Sequence, residues 1–123
     1  MSLSLALLVA LGGAIGAPTR YLVDRALQST HGTAFPWGTF TVNVAAALGL
    51  GVVLGGPAPA PAVAALGLGF CAGLSTWSTL AYETVRLAEE RRFSSATLNV
   101  VMSTFAGLGA MAVGLVLGAA LWG

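Results

Sequence analysis

Apolar residues fill four long segments of this 123-residue chain, at about residues 3–23, 37–54, 62–82 and 96–122. Polar connectors separate them, together with a turn at Gly55–Pro61 whose three prolines cannot continue a helix. A helix rises 1.5 Å per residue, so segments of this length can span a hydrocarbon core of roughly 30 Å. The pattern predicts an all-α, polytopic membrane protein, with one domain over residues 1–123 and four transmembrane helices.

The composition supports a membrane protein and excludes several classes of function. Hydrophobic residues make up 57% of the chain and charged residues only 7%, whereas soluble domains carry about a quarter charged residues. A net charge of +1 provides no basic patch for nucleic acid. Cys71 is the only cysteine and His31 the only histidine, so neither a disulfide nor a metal cluster is expected. Because no nucleophile has a partnered base, we do not expect an enzyme.

Polar residues inside the apolar segments are candidates for function, because polar groups in a bilayer are costly unless they face a partner, an ion or a water-filled path. The stretch Gly69–Glu83 contains the most of them, with two glycines, four serine or threonine residues and a terminal carboxylate. Arg20 lies near the end of the first segment, where it could either extend to the membrane interface or contribute to a site.

Two further pairs of polar residues are spaced four positions apart and therefore lie on one face of a helix. Thr39 and Asn43 form the pair in the second segment, and Asn99 and Ser103 form the pair in the fourth. Each pair has two interpretations, since these side chains could hydrogen-bond to a neighbouring helix or line a polar path. The sequence leaves both open.

Small residues recur at the spacing that lets membrane helices approach closely. The series are Gly12 with Gly16, Ala45 with Gly49, Gly51 with Gly55, and Ala65 with Gly69 and Gly73. This pattern predicts a tightly packed bundle and is compatible with a tight oligomer.

Arginine lies on one side of the predicted bundle. Four spans place both termini and the Gly55–Pro61 turn on one side, and the connectors on the other side carry Arg25, Arg86, Arg91 and Arg92. Short, positively charged loops stay cytoplasmic. We therefore predict a multi-pass protein of the cell membrane whose N-terminus and C-terminus are both outside.

Four local motifs resemble, in the same order, those of the Fluc (CrcB) fluoride channels. The motifs are Gly12–Tyr21 in the first span, Gly38–Asn43 in the second, Gly69–Glu83 in the third and Asn99–Val100 at the start of the fourth. The resemblance extends from one end of the chain to the other, and four motifs in the correct order are specific.

The resemblance implies a passive fluoride-specific channel of the prokaryotic plasma membrane that lowers cytoplasmic fluoride and works as an antiparallel dimer with two pores. It also implies a third helix broken near Gly73–Thr76 and a structural Na⁺ at the dimer centre, held by backbone carbonyls of Ala72 and Ser75. The family usually has Gly and Thr at these two positions, but main-chain oxygens do not depend on the side chain. Hydroxyl-rich backbone suits such a break, because Ser and Thr can satisfy the freed groups.

The resemblance further implies an anion pathway. Its residues in this chain are Thr39, Asn43, Trp77, Thr79, Leu80 and Ser103, with Arg20 as a positive charge in the vestibule. Amide and hydroxyl groups can replace water around fluoride, and aromatic rings present a positive edge to an anion. Leu80 stands where the family has an aromatic ring, so this chain lacks one ring of the pathway.

The one-sided arginines and Leu80 lead to one hypothesis and two alternatives. A homodimer that inserts in both orientations should have balanced charges, so we expect this chain to pair with an oppositely oriented homologue. The first alternative is a non-conducting assembly partner, which Leu80 and Ala72 favour. The second is a small proton-coupled multidrug exporter, which would need a carboxylate in mid-membrane. Asp24 and Glu83 both lie at predicted span ends, which counts against it.

Reporter fusions at the C-terminus test the predicted orientation. Because the arginines lie in the connectors opposite both termini, we expect a C-terminal reporter that is active only outside the cell to be active. A reporter that works only in the cytoplasm should stay silent. A cytoplasmic C-terminus would overturn the charge argument.

Overall fold

A computed structural model describes residues 2–31, 35–75 and 77–123, without the side chains of residues 28–31, 77 and 78. The structured elements in these ranges are all helical. The helices are α1 (Leu3–His31), α2 (Trp37–Gly55), α3 (residues 60–74), α4 (Trp77–Glu89) and α5 (Phe93–Trp122). Taken with α3 and α4 as one interrupted span, they include four helices long and apolar enough to cross a membrane. The predicted all-α membrane architecture is confirmed.

The third span is interrupted where the resemblance implies a break. Helix α3 ends at Leu74, and Ser75 has an extended backbone with φ −79° and ψ 158° before α4 begins at Trp77. An extended residue cannot continue the helical hydrogen bonding, so α4 can take a direction of its own. Thr76 lies outside the described residues.

Helix α3 differs from the ordinary helix that its apolar pattern predicts. A short turn at Ala60–Ala62 leads into nine residues of π-helix, Val63–Cys71, and an α-helical turn follows at Ala72–Leu74. The π-helix closes its hydrogen bonds one residue further along than an α-helix, and it usually occurs only as a single turn, often at a functional site. Here it forms the part of the third span that packs against α1.

Glycines bring α1 and α3 into direct backbone contact. A Cβ atom added at Gly12 would lie 2.1 Å from the Ala65 carbonyl oxygen, and one at Gly16 would lie 2.3 Å from that of Phe70. From the other side, a Cβ at Gly69 would lie 2.7 Å from the Val9 carbonyl oxygen. No side chain fits at these distances, which confirms the tight packing predicted from the spacing of small residues.

Helices α2 and α5 pack in the same way. A Cβ at Gly51 would lie 2.5 Å from the Met111 carbonyl oxygen, and one at Gly114 would lie 2.4 Å from that of Leu48. The bundle thus contains two helix pairs, α1 with α3 and α2 with α5, each held by backbone-to-backbone contact. A small cluster of buried residues joins the pairs: Val42, Ala46, Cys71 and Leu74.

The outer faces of the helices are apolar. Leu3 is 78% exposed, Phe105 71% and Leu121 74%. Exposed aliphatic and aromatic side chains on this scale are unfavourable in water and are typical of a surface that contacts lipid or another membrane helix.

A tight turn joins α4 to α5. Arg91 has a φ of 60°, and its N–H donates to the Ala88 carbonyl at 3.0 Å. The N–H of Arg92 donates to the Leu87 carbonyl at 2.8 Å. These bonds form a Schellman motif, in which glycine usually takes the left-handed position. Glu90 lies between two arginines in this turn, 4.0 Å from Arg86 and 3.4 Å from Arg92.

Substituting Gly114 with alanine should separate α2 from α5. The new methyl group would meet backbone atoms, which cannot move aside as a flexible side chain can, so we expect a loss of about 1–3 kcal/mol in the free energy of unfolding. Gly109→Ala on the same helix is the matched control, because a Cβ there has nothing within 4 Å. Equilibrium unfolding in detergent micelles measures both. Equal stabilities for the two variants would contradict the assigned contact.

Candidate functional site

An open cavity of about 190 Å³ is lined by polar residues from three helices. Helix α1 contributes Arg20, Tyr21 and Asp24, helix α2 contributes Thr39, and helix α4 contributes Thr79. Three of the residues predicted from the sequence, Arg20, Thr39 and Thr79, are therefore brought together. The break before α4 makes this possible, because it sets the direction in which Thr79 approaches the other two helices.

Arg20 is half-buried at this cavity rather than fully extended into solvent. Its Nε atom is buried and has no hydrogen-bond partner among the described residues. A buried, charged donor without an acceptor is costly, and a bound anion or an ordered water would relieve that cost. Of the two interpretations that the sequence left open for Arg20, this position favours a role in a site.

Thr39 is 1% exposed, and its hydroxyl donates a hydrogen bond to the carboxylate of Glu83. The structure revises one expectation, namely that the third span ends at Glu83. Helix α4 continues for six residues beyond it to Glu89, and the Glu83 side chain reaches α2 inside the bundle. Because the Thr39 hydroxyl donates its proton to Glu83, an anion at this point would have to compete with the carboxylate for that hydrogen bond.

Asn43 lies one helical turn beyond Thr39 on α2 and is half-buried. It does not line the cavity that contains Arg20, Thr39 and Thr79. The face that carries Thr39 and Asn43 also carries the core residues Val42 and Ala46, which are 1% and 3% exposed. The Asn43 amide is therefore held at the edge of the packed interior of the bundle.

Leu80 faces a different space from Thr79. It lines an apolar groove of about 320 Å³ between α4 and α5, together with Thr84, Val100 and Thr104. The hydroxyl of Thr104 is satisfied within its own helix, at 2.8 Å from the Val100 carbonyl. The sequence predicts that Thr79 and Leu80 line one anion path. Since Thr79 lines the cavity and Leu80 lines this groove, such a path has to connect the two spaces.

The polar pair on α5 differs from the pair on α2. Asn99 is 0% exposed, and its Nδ2 donates to the Thr84 hydroxyl oxygen at 2.8 Å. The interhelical hydrogen bond that the sequence left open is therefore present. The Asn99 Oδ1 and the Ser103 Oγ are buried atoms without a hydrogen-bond partner among the described residues. The same helix face thus both ties α5 to α4 and retains unused polar atoms.

The two predicted Na⁺ residues lie directly at the break. Ala72 has an ordinary helical backbone, with φ −66° and ψ −37°, so its methyl group causes no strain. The Ser75 hydroxyl donates to the Ala72 carbonyl oxygen at 3.3 Å, and the Ser75 N–H donates to the Cys71 carbonyl at 3.0 Å. Trp77 begins α4, but its side chain lies outside the part of the chain that the structure describes. Its place in the anion pathway therefore stays a prediction.

The sequence interpretation did not identify the partners in three contacts. These are the bond between Thr39 and Glu83, the close approach of Asp24 to Gly38, and the bond between Asn99 and Thr84. One signal was available for Glu83, since it follows Thr79 by four residues and must share its helix face. All three contacts join different helices, and the other two have no local signature in the sequence.

A family model and individual proteins that match this chain point to the same family. A family model described as "CrcB-like protein, Camphor Resistance (CrcB)" matches residues 7–115. A protein of Frankia casuarinae named "Fluoride-specific ion channel FluC 1" is 52% identical over 126 residues, which cover 95% of this chain and 98% of that protein. A protein of the same name from Streptomyces avermitilis is 44% identical over 120 residues, covering 94% of this chain and 97% of that protein.

The matched region contains every residue of the cavity and of the helix break. Both relatives are covered over nearly their whole length, so the similarity includes all four spans rather than one shared motif. The chain therefore belongs to the CrcB family.

Proposed function

We propose that this protein is a subunit of a fluoride-specific channel, through which fluoride leaves the cell passively. The observation that carries the proposal is the cavity formed by Arg20, Thr39 and Thr79, in a family whose relatives bear the name of fluoride channels. At this cavity the Nε of the half-buried Arg20 is a buried donor without a hydrogen-bond partner among the described residues. A channel rather than an enzyme is the class that these features support.

Fluoride is small and strongly hydrated, so a pathway that strips its water must provide hydrogen-bond donors in return. Arg20 supplies a positive potential at the cavity, which attracts anions over a distance. The hydroxyl of Thr79, the amide of Asn43 and the hydroxyl of Ser103 are the side-chain groups of the predicted pathway that are chemically able to donate to the ion. The buried Ser103 Oγ supports this assignment, because it has no hydrogen-bond partner in the part of the chain that the structure describes and so has a proton to offer.

The helix break suits the structural Na⁺ that the family resemblance implies. The last carbonyls of a helix lack intrahelical partners and carry partial negative charge, which favours a cation. Ala72 and Ser75 lie in that last turn and at the extended residue that follows it. When bound, Na⁺ would neutralise these carbonyl dipoles, and the Ser75 hydroxyl would keep the Ala72 carbonyl oriented.

We propose that the working form is an antiparallel dimer with a second subunit of this family. The exposed apolar faces, with Phe105 at 71% and Val116 at 69%, provide surface for such a partner. The arginines of the α4–α5 turn and of the end of α1 lie on one side of the chain, which favours an oppositely oriented homologue over a second copy.

Two alternatives make different predictions. A non-conducting assembly partner is favoured by Leu80, which offers an anion neither an aromatic edge nor a donor. A proton-coupled exporter is favoured by Glu83, whose carboxylate lies inside the bundle against Thr39. The exporter would require Glu83 and a pH gradient, whereas a passive channel would need no gradient other than that of fluoride.

Fluoride efflux from liposomes tests the proposal directly. We expect liposomes containing the purified chain together with its homologous partner to release fluoride and not chloride, without an imposed pH gradient. The chain alone should release fluoride much more slowly, because it lacks its oppositely oriented half. Rapid efflux from the chain alone would sink the heterodimer hypothesis, and no efflux from either preparation would sink the channel.

Substitution of the proposed donors separates a conducting subunit from a silent one. We expect Asn43→Ala and Ser103→Ala each to lower fluoride efflux by roughly tenfold, the effect of losing about one hydrogen bond to a charged group. Thr104→Val is the matched control beside Ser103, because its hydroxyl is exposed and bonded within its own helix. Unchanged efflux in both alanine variants would indicate that this chain does not line the pore.

A further inference from the structure

Helix α4 is the element of the bundle that depends most on polar contacts. It follows the extended residue Ser75, so it is not a rigid continuation of α3. The glycine contacts hold α1 to α3 and α2 to α5, whereas α4 packs mainly against α5 and, among the described residues, makes no such contact. Two adjacent residues tie it on two sides, with Glu83 bonded to Thr39 on α2 and Thr84 bonded to Asn99 on α5.

The bond to α5 is part of a relay of two hydrogen bonds. The Thr84 hydroxyl donates to the Leu80 carbonyl oxygen at 2.8 Å, one turn earlier on α4. Its proton is therefore used, and its oxygen can only accept from Asn99, whose Nδ2 lies 2.8 Å away. The relay runs from the buried amide of α5, through one hydroxyl, to the backbone of the turn that carries Thr79 and Leu80.

The relay fixes which way the Asn99 amide points. Because Thr84 can only accept, the NH₂ half must face α4, and the Oδ1 half is left without a partner among the described residues. A side chain that served only to fill this space would not need an orphaned acceptor, which costs about 1–3 kcal/mol when buried. The donor half of Asn99 is thus the half that the arrangement uses.

We propose that Asn99 is a positioning residue, which through Thr84 holds the Leu80 turn of α4 at the distance from α2 and α5 that the anion path requires. This inference rests on the proposed function, because the path is that of the channel. Asn99 itself does not contact the anion. It acts on the location of Thr79 at the cavity and of Leu80 at the neighbouring groove.

Four variants of the full-length chain, each reconstituted with the homologous partner, test the role of Asn99. Asn99→Leu removes the donor, Thr84→Val removes the hydroxyl without changing the shape of the side chain, and the double variant removes both. Thr84→Ser keeps the hydroxyl and should restore the relay. Thr104→Val is the control, since it also deletes a hydroxyl beside the groove, but one bonded within α5.

We expect Asn99→Leu and Thr84→Val each to lower fluoride efflux roughly tenfold. The efflux of the double variant should be no lower than that of the less active single variant. Non-additivity of this kind is the signature of two residues that act as one unit. Thr84→Ser and Thr104→Val should stay within about twofold of the parent chain. Efflux from Thr84→Ser as low as from Thr84→Val would overturn the proposal, because the hydroxyl would then not be the active feature.

Hydrogen exchange of backbone amides provides a second readout that does not depend on conduction. Amides in α4 should exchange roughly tenfold faster in Asn99→Leu and Thr84→Val, while those of α1 and α2 stay protected and show that the bundle is folded. Unchanged exchange in α4 would overturn the proposal. If the parent complex releases no fluoride, the proposed function fails, and the exchange data still decide whether Asn99 holds α4.

Discussion

Direct contact between helix backbones is the constraint on which this structure depends. Lipid solvates apolar side chains as well as another helix does, so membrane helices associate through close packing and polar contacts instead. Glycines provide the close packing here by removing the side chain wherever α1 meets α3 and α2 meets α5. Two rigid pairs result, and the remaining helix, α4, must be placed by other means.

The placement of α4 explains why polar residues concentrate around it. The break at Ser75 frees α4 from α3, and Glu83 and Thr84 then fix it between α2 and α5 through single hydrogen bonds. In the low dielectric of a membrane interior such bonds have no competition from water, although each contributes only modestly. The candidate site lies where α4, held by these hydrogen bonds, meets α1 and α2 of the two glycine-packed pairs.

The sequence was sufficient for whatever depends on local pattern. Lengths of apolar residues predicted four spans, small residues at fixed spacing predicted close packing, and the family resemblance implied a break near Gly73–Thr76. It was insufficient where the outcome depends on partners remote in the chain. The π-helix of Val63–Cys71 has no distinct apolar period, and the partners of Glu83 and Asn99 lie on helices whose rotation the sequence does not specify. Arg20 could be predicted in part. The sequence shows an arginine near the end of the first span, but how deeply its side chain is buried depends on where α1 crosses α2.

The tight turn between α4 and α5 has a consequence for how the protein enters the membrane. Arg86, Arg91 and Arg92 lie within seven residues, and the left-handed conformation of Arg91 leaves no slack between the two helices. When both helices span the membrane, a turn this short keeps all three guanidinium groups on the same side. Reversing the orientation of the two helices would require all three guanidinium groups to cross the bilayer together. The two helices therefore take one orientation or the other as a unit.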